Sequence, residues 1–449
     1  MVINIMIKKR LFYAALSLIV LCICAALGVA AFGYFLGDAS TAHQVGSTEA
    51  IVGNAPEQVT RGAYLALAGN CAGCHTKRGG APYAGGRVIQ TEFGNFVSPN
   101  ITSDQATGIG SWTADDFWRA LHNGKSKDGH LLYPAFPYPN YTRITRGDSD
   151  AMFAYFRSVA PLRQVNQAHA LRFPYNQRIL LAFWRAFYFR PEVYQQEQTQ
   201  SPEWNRGAYL VTGLAHCSAC HSSRNALGAN GGSQDLSGGE LAMINWYAPS
   251  LINSNEAGLA HWQAAQVQAL LKAGISSNAV AVGPMAEVVA NSLQHLSMPD
   301  IQAMSVYLQA IPQEKIAAKD MLDKAIAPEV VSKDEMARIM TKGASLYKTH
   351  CSDCHAIDGS GVASIYPPLK ANPGVQMSHL ANPLRIILAG GFPPATTANP
   401  RPYGMPPFGP TLSDDDIALV LSYVRNAWGN QASVVTAAEV NRYRSAPLD

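Results

Sequence analysis

Arg206-Gly-Ala-Tyr-Leu-Val-Thr-Gly-Leu-Ala-His216-Cys217-Ser-Ala-Cys220-His221 contains, in one stretch, the pattern on which the whole chain is built. Its last five residues recur as Cys71-Ala-Gly-Cys74-His75 and as Cys351-Ser-Asp-Cys354-His355. Two cysteines separated by two residues present both thiols from one helical turn, with the imidazole of the next residue beside them. That arrangement suits a c-type haem, whose vinyl groups take up the thiols as thioethers and whose iron binds the imidazole. The three copies use six of the eight cysteines, and the other two, Cys22 and Cys24, lie in an apolar N-terminal run. A zinc ribbon needs Cys pairs close together or followed by spaced histidines. Three disulfides would leave the histidine after every pair unexplained. Three covalently bound haem c groups are therefore expected, held by Cys71, Cys74, Cys217, Cys220, Cys351 and Cys354, with His75, His221 and His355 on the iron.

The surroundings of the motif repeat as well. Arg61-Gly-Ala-Tyr-Leu65 precedes the first copy and Lys342-Gly-Ala-Ser-Leu-Tyr347 the third, each as a short amphipathic helix. A Gly-rich loop and a proline follow each motif: Pro99, Pro249, and Pro367 with Pro368. A proline carbonyl at this place can accept the ring N–H of the haem histidine and fix its orientation; a plain loop proline is the bland alternative. A middle helix then ends on Gly124, Gly274 or Gly390, as a left-handed C-cap requires. A last helix begins near Asp148, Asp300 or Asp414, with acidic residues in its first turn where the helix dipole favours them. The fold class read from this is all-α. An N-terminal transmembrane helix (1–40) precedes three tandem class I cytochrome c-like domains, one haem c each, at 55–165, 201–312 and 336–435. The remainder is an aromatic linker (166–200), a second linker (313–335) and a tail (436–449). A haem at the centre gives so small a helical domain a core.

The far side of the iron is expected to carry a methionine thioether, which raises the potential relative to bis-histidine ligation. The loop before the last helix supplies Met285 in the second unit and Met405 in the third. Met298 lies at the start of a last helix, and Met152 and Met304 lie inside last helices, where methionine is usually packing. In the first unit the corresponding stretch reads Tyr133-Pro-Ala-Phe136-Pro, and phenylalanine cannot bind iron. Either that iron is five-coordinate or another side chain closes it, His130 first and His122 next.

With 449 residues the chain has room for three ordinary domains, and at 14% charged residues and net charge +3 it has no uniform field to attract nucleic acid. Lys8-Lys9-Arg10 precedes an apolar run from Leu11 to about Leu36, long enough to cross a bilayer, which takes about 20 residues. The positive flank places that end in the cytoplasm and the remainder in the periplasm. No clean cleavage site stands out, so an uncleaved anchor is expected rather than a signal peptide. Residues 173–189, apolar and aromatic, read as an internal packing segment, a docking face or an interfacial segment.

The chain resembles the three-haem cytochrome c subunit of bacterial membrane-bound dehydrogenases, in the alcohol, gluconate, fructose and aldehyde branches. The resemblance rests on Arg-Gly-Ala-Tyr-Leu before two motifs, Asn95-Phe-Val-Ser-Pro-Asn-Ile-Thr102, and Leu132-Tyr-Pro-Ala-Phe-Pro-Tyr138. It continues through Gly283-Pro-Met-Ala-Glu-Val-Val289, Asn291-Ser-Leu-Gln-His-Leu296, Met405-Pro-Pro-Phe and Tyr423-Val-Arg-Asn-Ala-Trp-Gly429, covering nearly everything after about residue 55. It implies a separate catalytic subunit of pyrroloquinoline quinone, flavin or molybdenum type as partner. That subunit would oxidise an alcohol, aldehyde or sugar acid. Electrons would pass to ubiquinone or another respiratory acceptor at the inner membrane. Members of the alcohol branch carry Met where Phe136 stands, which leans toward a molybdenum or flavin partner. Two other readings stay open: a peroxidase-type enzyme using an open first haem, and a soluble electron shuttle, which the anchor disfavours.

Overall fold

The computed structural model describes residues 2–38, 56–277, 279–312 and 331–444. Residues 313–330 of the expected second linker and 445–449 of the expected tail lie outside them. In chain order, α1 spans Val2–Phe35; α2, α3 and α4 span Pro56–Ala68, Ala114–Asn123 and Arg146–Ser158. A helix over the aromatic segment, α5, spans Leu180–Tyr188. Then come α6 (Pro202–Tyr209), α7 (Ala264–Ala273), α8 (Gly283–Asn291) and α9 (Met298–Ala310). The last are α10 (Lys333–His350), α11 (Ala381–Ala389), α12 (Asp414–Asn426) and α13 (Ala437–Arg444). Within α1, Leu11–Phe35 is apolar and long enough to cross a membrane, the only such stretch among the described residues, and it is exposed along most of its length.

The helices pair as leading against last: α2 on α4, α6 on α9, α10 on α12. Each crossing is made at the glycine of the repeated pentapeptide. A Cβ on Gly207 would overlap the Ala303 carbonyl and come 2.8 Å from Tyr307 Cβ; on Gly62 it would overlap the Ala151 carbonyl and come 2.9 Å from Tyr155 Cβ. On Gly343 it would meet Tyr423 Cβ at 2.5 Å. Only hydrogen fits between backbones this close. The middle helices α3, α7 and α11 stop at Gly124, Gly274 and Gly390, with φ of 59°, 73° and 70°, where a side chain would strain the backbone.

All-α is corrected to predominantly helical. Strands β1 (Val88–Thr91), β2 (Gly94–Val97) and β3 (Ala170–Leu171) form one antiparallel sheet, and β4 (Gly239–Leu241) with β5 (Trp246–Ala248) a second. β1, β2, β4 and β5 are short hairpin arms inside the Gly-rich loops, and β3 is two residues of the segment that follows the first region; all are too brief to show a clear alternation in sequence. Since β3 pairs with β2, the segment 166–200 is bound into the structure at its start and through α5.

The first and second regions share one core, with Leu65, Ile144, Phe156, Leu210, Leu214 and Ile301 all buried in it. Their contact is reciprocal. Tyr64 donates its hydroxyl to Asp300 (2.6 Å) and accepts from the Ser297 backbone N–H (3.1 Å). Tyr209 does the same with Asp148 (2.6 Å) and the Thr145 N–H (3.2 Å). Each tyrosine thus enters the N-terminal cap of the other region's last helix, where helix N–H groups lack intrahelical partners. Arg61 and Arg206 bind the same two carboxylates from within their own regions. The third region has Ser345 in place of the tyrosine, and Asp416 instead turns back onto its own cap at Ser413.

Candidate functional site

Cys71–His75 form one helical turn directly after α2, Cys217–Ala219 a tight turn after α6, and Ser352–His355 a turn after α10. The leading helix delivers the motif, and a left-handed residue (Asn70, φ 48°; His216, φ 41°) sets the angle in the first two regions.

Each motif histidine is held the same way. His75 Nδ1 lies 2.8 Å from the Pro99 carbonyl, His221 Nδ1 2.7 Å from that of Pro249, and His355 Nδ1 3.0 Å from that of Pro367. The strands explain how the prolines arrive: β2 ends just before Ser98-Pro99, β5 runs directly into Pro249, and a Val362–Tyr366 bridge precedes Pro367. A carbonyl only accepts, so Nδ1 carries the proton and Nε2 keeps its lone pair. Burial lowers the pKa of all three imidazoles, opposed by the carbonyl bond. They are therefore neutral, as an iron ligand must be. Burial also pushes the first thiol of each pair up, Cys71 and Cys217 to about 12 and Cys351 to about 11.

The second and third motifs open into a common apolar cavity of about 440 Å³. His221, Met285 and Met304 line it from the second region, and His355 and Met405 from the third, with Leu251, Leu271, Leu293, Val420 and Phe408 between them. Met285 stands in the first turn of α8; Met405 lies in a loop bridged to Gly391. Ala68 and Asn70 of the first region reach the same cavity. The first and second motifs also approach one another: burial raises the Cys74 thiol, Arg87 draws it down, and the nearby Cys220 raises it again. Arg87 ties this junction by donating to both Glu287 oxygens of α8 and to the Gly73 carbonyl. That ion pair is partly exposed on both sides, so its charge attraction alone contributes little.

The candidates of the first region lie elsewhere. Phe136 packs at the edge of the shared core, against Tyr141. His130 is partly exposed, with Nδ1 2.5 Å from Asp128. His122 is fully buried, stacked on Trp118, with Nδ1 2.8 Å from the Thr142 carbonyl. Met152 is core, while Met298 is half-exposed at the first position of α9.

An apolar cavity, neutral oriented imidazoles and paired thiols on single turns fit a covalently held haem. What sequence reasoning missed was Tyr64 and Tyr209. The signal was there, since the pentapeptide keeps its tyrosine in two units and loses it in the third.

The cytochrome c family model matches residues 340–428. The chain is 38% identical over 403 residues to the gluconate 2-dehydrogenase cytochrome c subunit of Pantoea cypripedii, covering 86% of this chain and 89% of that protein. It is 35% identical over 427 residues to the cytochrome c subunit of the alcohol dehydrogenase (quinone) of Gluconobacter oxydans, covering 93% and 87%. It is 35% identical over 406 residues to the fructose dehydrogenase cytochrome subunit of Gluconobacter japonicus, covering 86% and 82%.

Proposed function

This chain belongs to the family of cytochrome c subunits of bacterial dehydrogenase complexes, an electron-transfer subunit rather than a catalytic one, and we propose that it is a three-haem relay. When bound, haem c supplies a one-electron iron couple. Cys71 and Cys74, Cys217 and Cys220, and Cys351 and Cys354 would hold the three groups. His75, His221 and His355 would take the near side of each iron, and Met285 and Met405 the far side in the second and third. In the first, Phe136 stands where the thioether would be, with His130 the nearest histidine in sequence.

The observation that carries this reading is contiguity. Asn70, next to Cys71 of the first motif, lines the same cavity as Cys220, His221 and His355. The second motif is therefore the middle of the series. Burial keeps each imidazole neutral and the proline carbonyl fixes its orientation, so no proton needs to move there. The apolar lining excludes water, which limits the solvent rearrangement a change of charge would demand.

The inner membrane would hold the chain through α1, with the haem regions in the periplasm, as Lys8-Lys9-Arg10 at the opposite end of the span supports. The partner is a catalytic dehydrogenase subunit acting on an alcohol, aldehyde or sugar acid, and the acceptor is ubiquinone or another respiratory carrier. The peroxidase alternative has no support among the relatives.

Purification of the tagged full chain from solubilised host membranes tests this. A dehydrogenase polypeptide should co-purify, and its substrate should reduce all three haems. Isolation without such a subunit, together with turnover of peroxide, would overturn the reading.

A further inference from the structure

The aromatic helix α5 (Leu180–Tyr188) has two apolar faces, and the fold uses only one. Leu181 and Ala182 are buried in a cluster with Leu131, against which Ala30 of α1 packs. Gly33 of α1 is pressed onto α5: a Cβ there would overlap the Ala182 carbonyl and stand 3.1 Å from Ala186 Cβ. Arg185, fully buried, donates to the carbonyls of Gly33 (2.9 Å), Leu36 (2.7 Å) and Asn123, so it caps the C-terminal end of α1 and locks it to the first region. Lys125 completes the lock on Asp38 (2.7 Å). The opposite face is bare: Phe187 is 63% exposed, with Leu180 and Tyr188 beside it, and Ile179 just before the helix (64%) and Phe173 in the preceding loop (79%) are bare as well.

The position of α5 along α1 decides what covers that face. The apolar stretch Leu11–Phe35 has 25 residues. At 1.5 Å per residue it is about 37 Å long, against a hydrocarbon core of about 30 Å. The excess, roughly five residues, belongs in the headgroup layer, and Ala30 to Leu36 is where α5 attaches. The charge pattern agrees. Besides the buried Arg185, residues 160–191 contain four exposed arginines (Arg163, Arg172, Arg178 and Arg190) and no acidic residue. A short helix with aromatic residues on one face and basic residues around it is the composition of an interfacial segment, and anionic headgroups attract such residues.

We propose that α5 and the preceding loop from Phe173 lie in the outer headgroup layer of the membrane that α1 crosses. Phe173, Ile179 and Phe187 then sit among the upper acyl chains, with the exposed Arg163, Arg172, Arg178 and Arg190 at the phosphates. Together with α1 this makes a second, rigidly coupled attachment, which sets how the first region stands over the bilayer. The proposal rests on the reading of α1 as a membrane span.

The holo full chain in nanodiscs of phosphatidylcholine and phosphatidylglycerol, carrying a photoreactive phospholipid, provides the test. Cross-linked peptides would be mapped by mass spectrometry. Expected is labelling on both α1 and residues 173–188, several-fold above that at Phe392, an equally exposed side chain of the third region. An Ile179→Ser/Phe187→Ser variant should lose the labelling on 173–188 and keep that on α1. Labelling of α1 without 173–188 overturns the proposal and leaves the span intact; absence of labelling on α1 overturns both. Equal labelling at Phe392 also overturns it, since it indicates general stickiness. So does cross-linking of 173–188 to a protein subunit in the native complex in place of lipid.

Discussion

Replacing Gly207 by alanine should do more damage than any other single added methyl in the second region. The new Cβ would lie 2.5 Å from the Ala303 carbonyl carbon, closer still to its oxygen, and 2.8 Å from Tyr307 Cβ. Carbon needs about 3.5 Å from such neighbours, so α6 and α9 must part by about 1 Å. Both obstacles are backbone or the root of a side chain, and neither can swing away. Overpacking of this kind costs about 1–3 kcal/mol, occasionally more, and the upper end is expected here. Gly147 is the control: it also lies in a helix, and its Cβ would meet nothing within 4 Å. Gly147→Ala should therefore gain roughly 0.5–1 kcal/mol from helix propensity. Gly62→Ala should behave like Gly207→Ala, while Gly343→Ala should be milder, since it meets Tyr423 Cβ at 2.5 Å but clears the backbone better, with the Leu419 oxygen at 2.6 Å. The assay is thermal unfolding of the four holo variants, followed by haem absorbance. About 1 kcal/mol moves the midpoint by roughly 2–4 °C in a unit as large as the two regions that share one core. Because α6 delivers Cys217, Gly207→Ala should also weaken the far-red iron–thioether band. A Gly207→Ala protein as stable as Gly147→Ala would refute the helix-crossing argument.

Three further outcomes are expected. Tyr64→Phe and Tyr209→Phe each remove a hydroxyl donor from a carboxylate, at 2.6 Å in both cases, and should each cost about 1.5–3 kcal/mol; calorimetry giving a large loss for one and none for the other would contradict the reciprocal interface. The Asp300 carboxyl is held below its usual range, since burial raises it but Arg206 and Tyr64 lower it further. A depressed pKa contributes stability that is complete above the unfolded value, near 3.9, and is lost as pH falls through the folded value; Asp300→Asn should flatten that acid limb of the unfolding profile, and an unchanged limb would remove Asp300 as its source. Phe136→Met should convert a carbon-monoxide-reactive haem fraction to a low-spin, unreactive one, whereas His130→Ala should leave the spectrum as it was because His130 is engaged by Asp128. A spectrum altered by the His130 change alone would make that histidine the ligand.

Short-range chemistry was readable from the chain. The motif requires neighbouring residues only, so Cys-x-x-Cys-His and its repetition were evident, as were the glycines that end the middle helices and the prolines that answer the histidines. The strands were not evident, because arms of two to four residues carry too little alternation to separate from loop. Their role, aiming the Pro99 and Pro249 carbonyls, depends on pairing partners that local sequence does not specify.

By itself, the sequence determined what each unit is made of: its thiols, its imidazole, its helices and their stops. Only the tertiary structure decided how the units meet. Tyr64 and Asp300 are 236 residues apart, and no local pattern links them. Two regions joined their cores through exchanged tyrosines, while the third, with Ser345, packed so that its site and the second share a cavity. Arg185, which reads as a charge interrupting an apolar helix, proved to be the buried cap of α1. The physical reason is the same in each case. A buried polar group must find its partner wherever the chain brings one, and that partner is set by packing rather than by proximity in sequence.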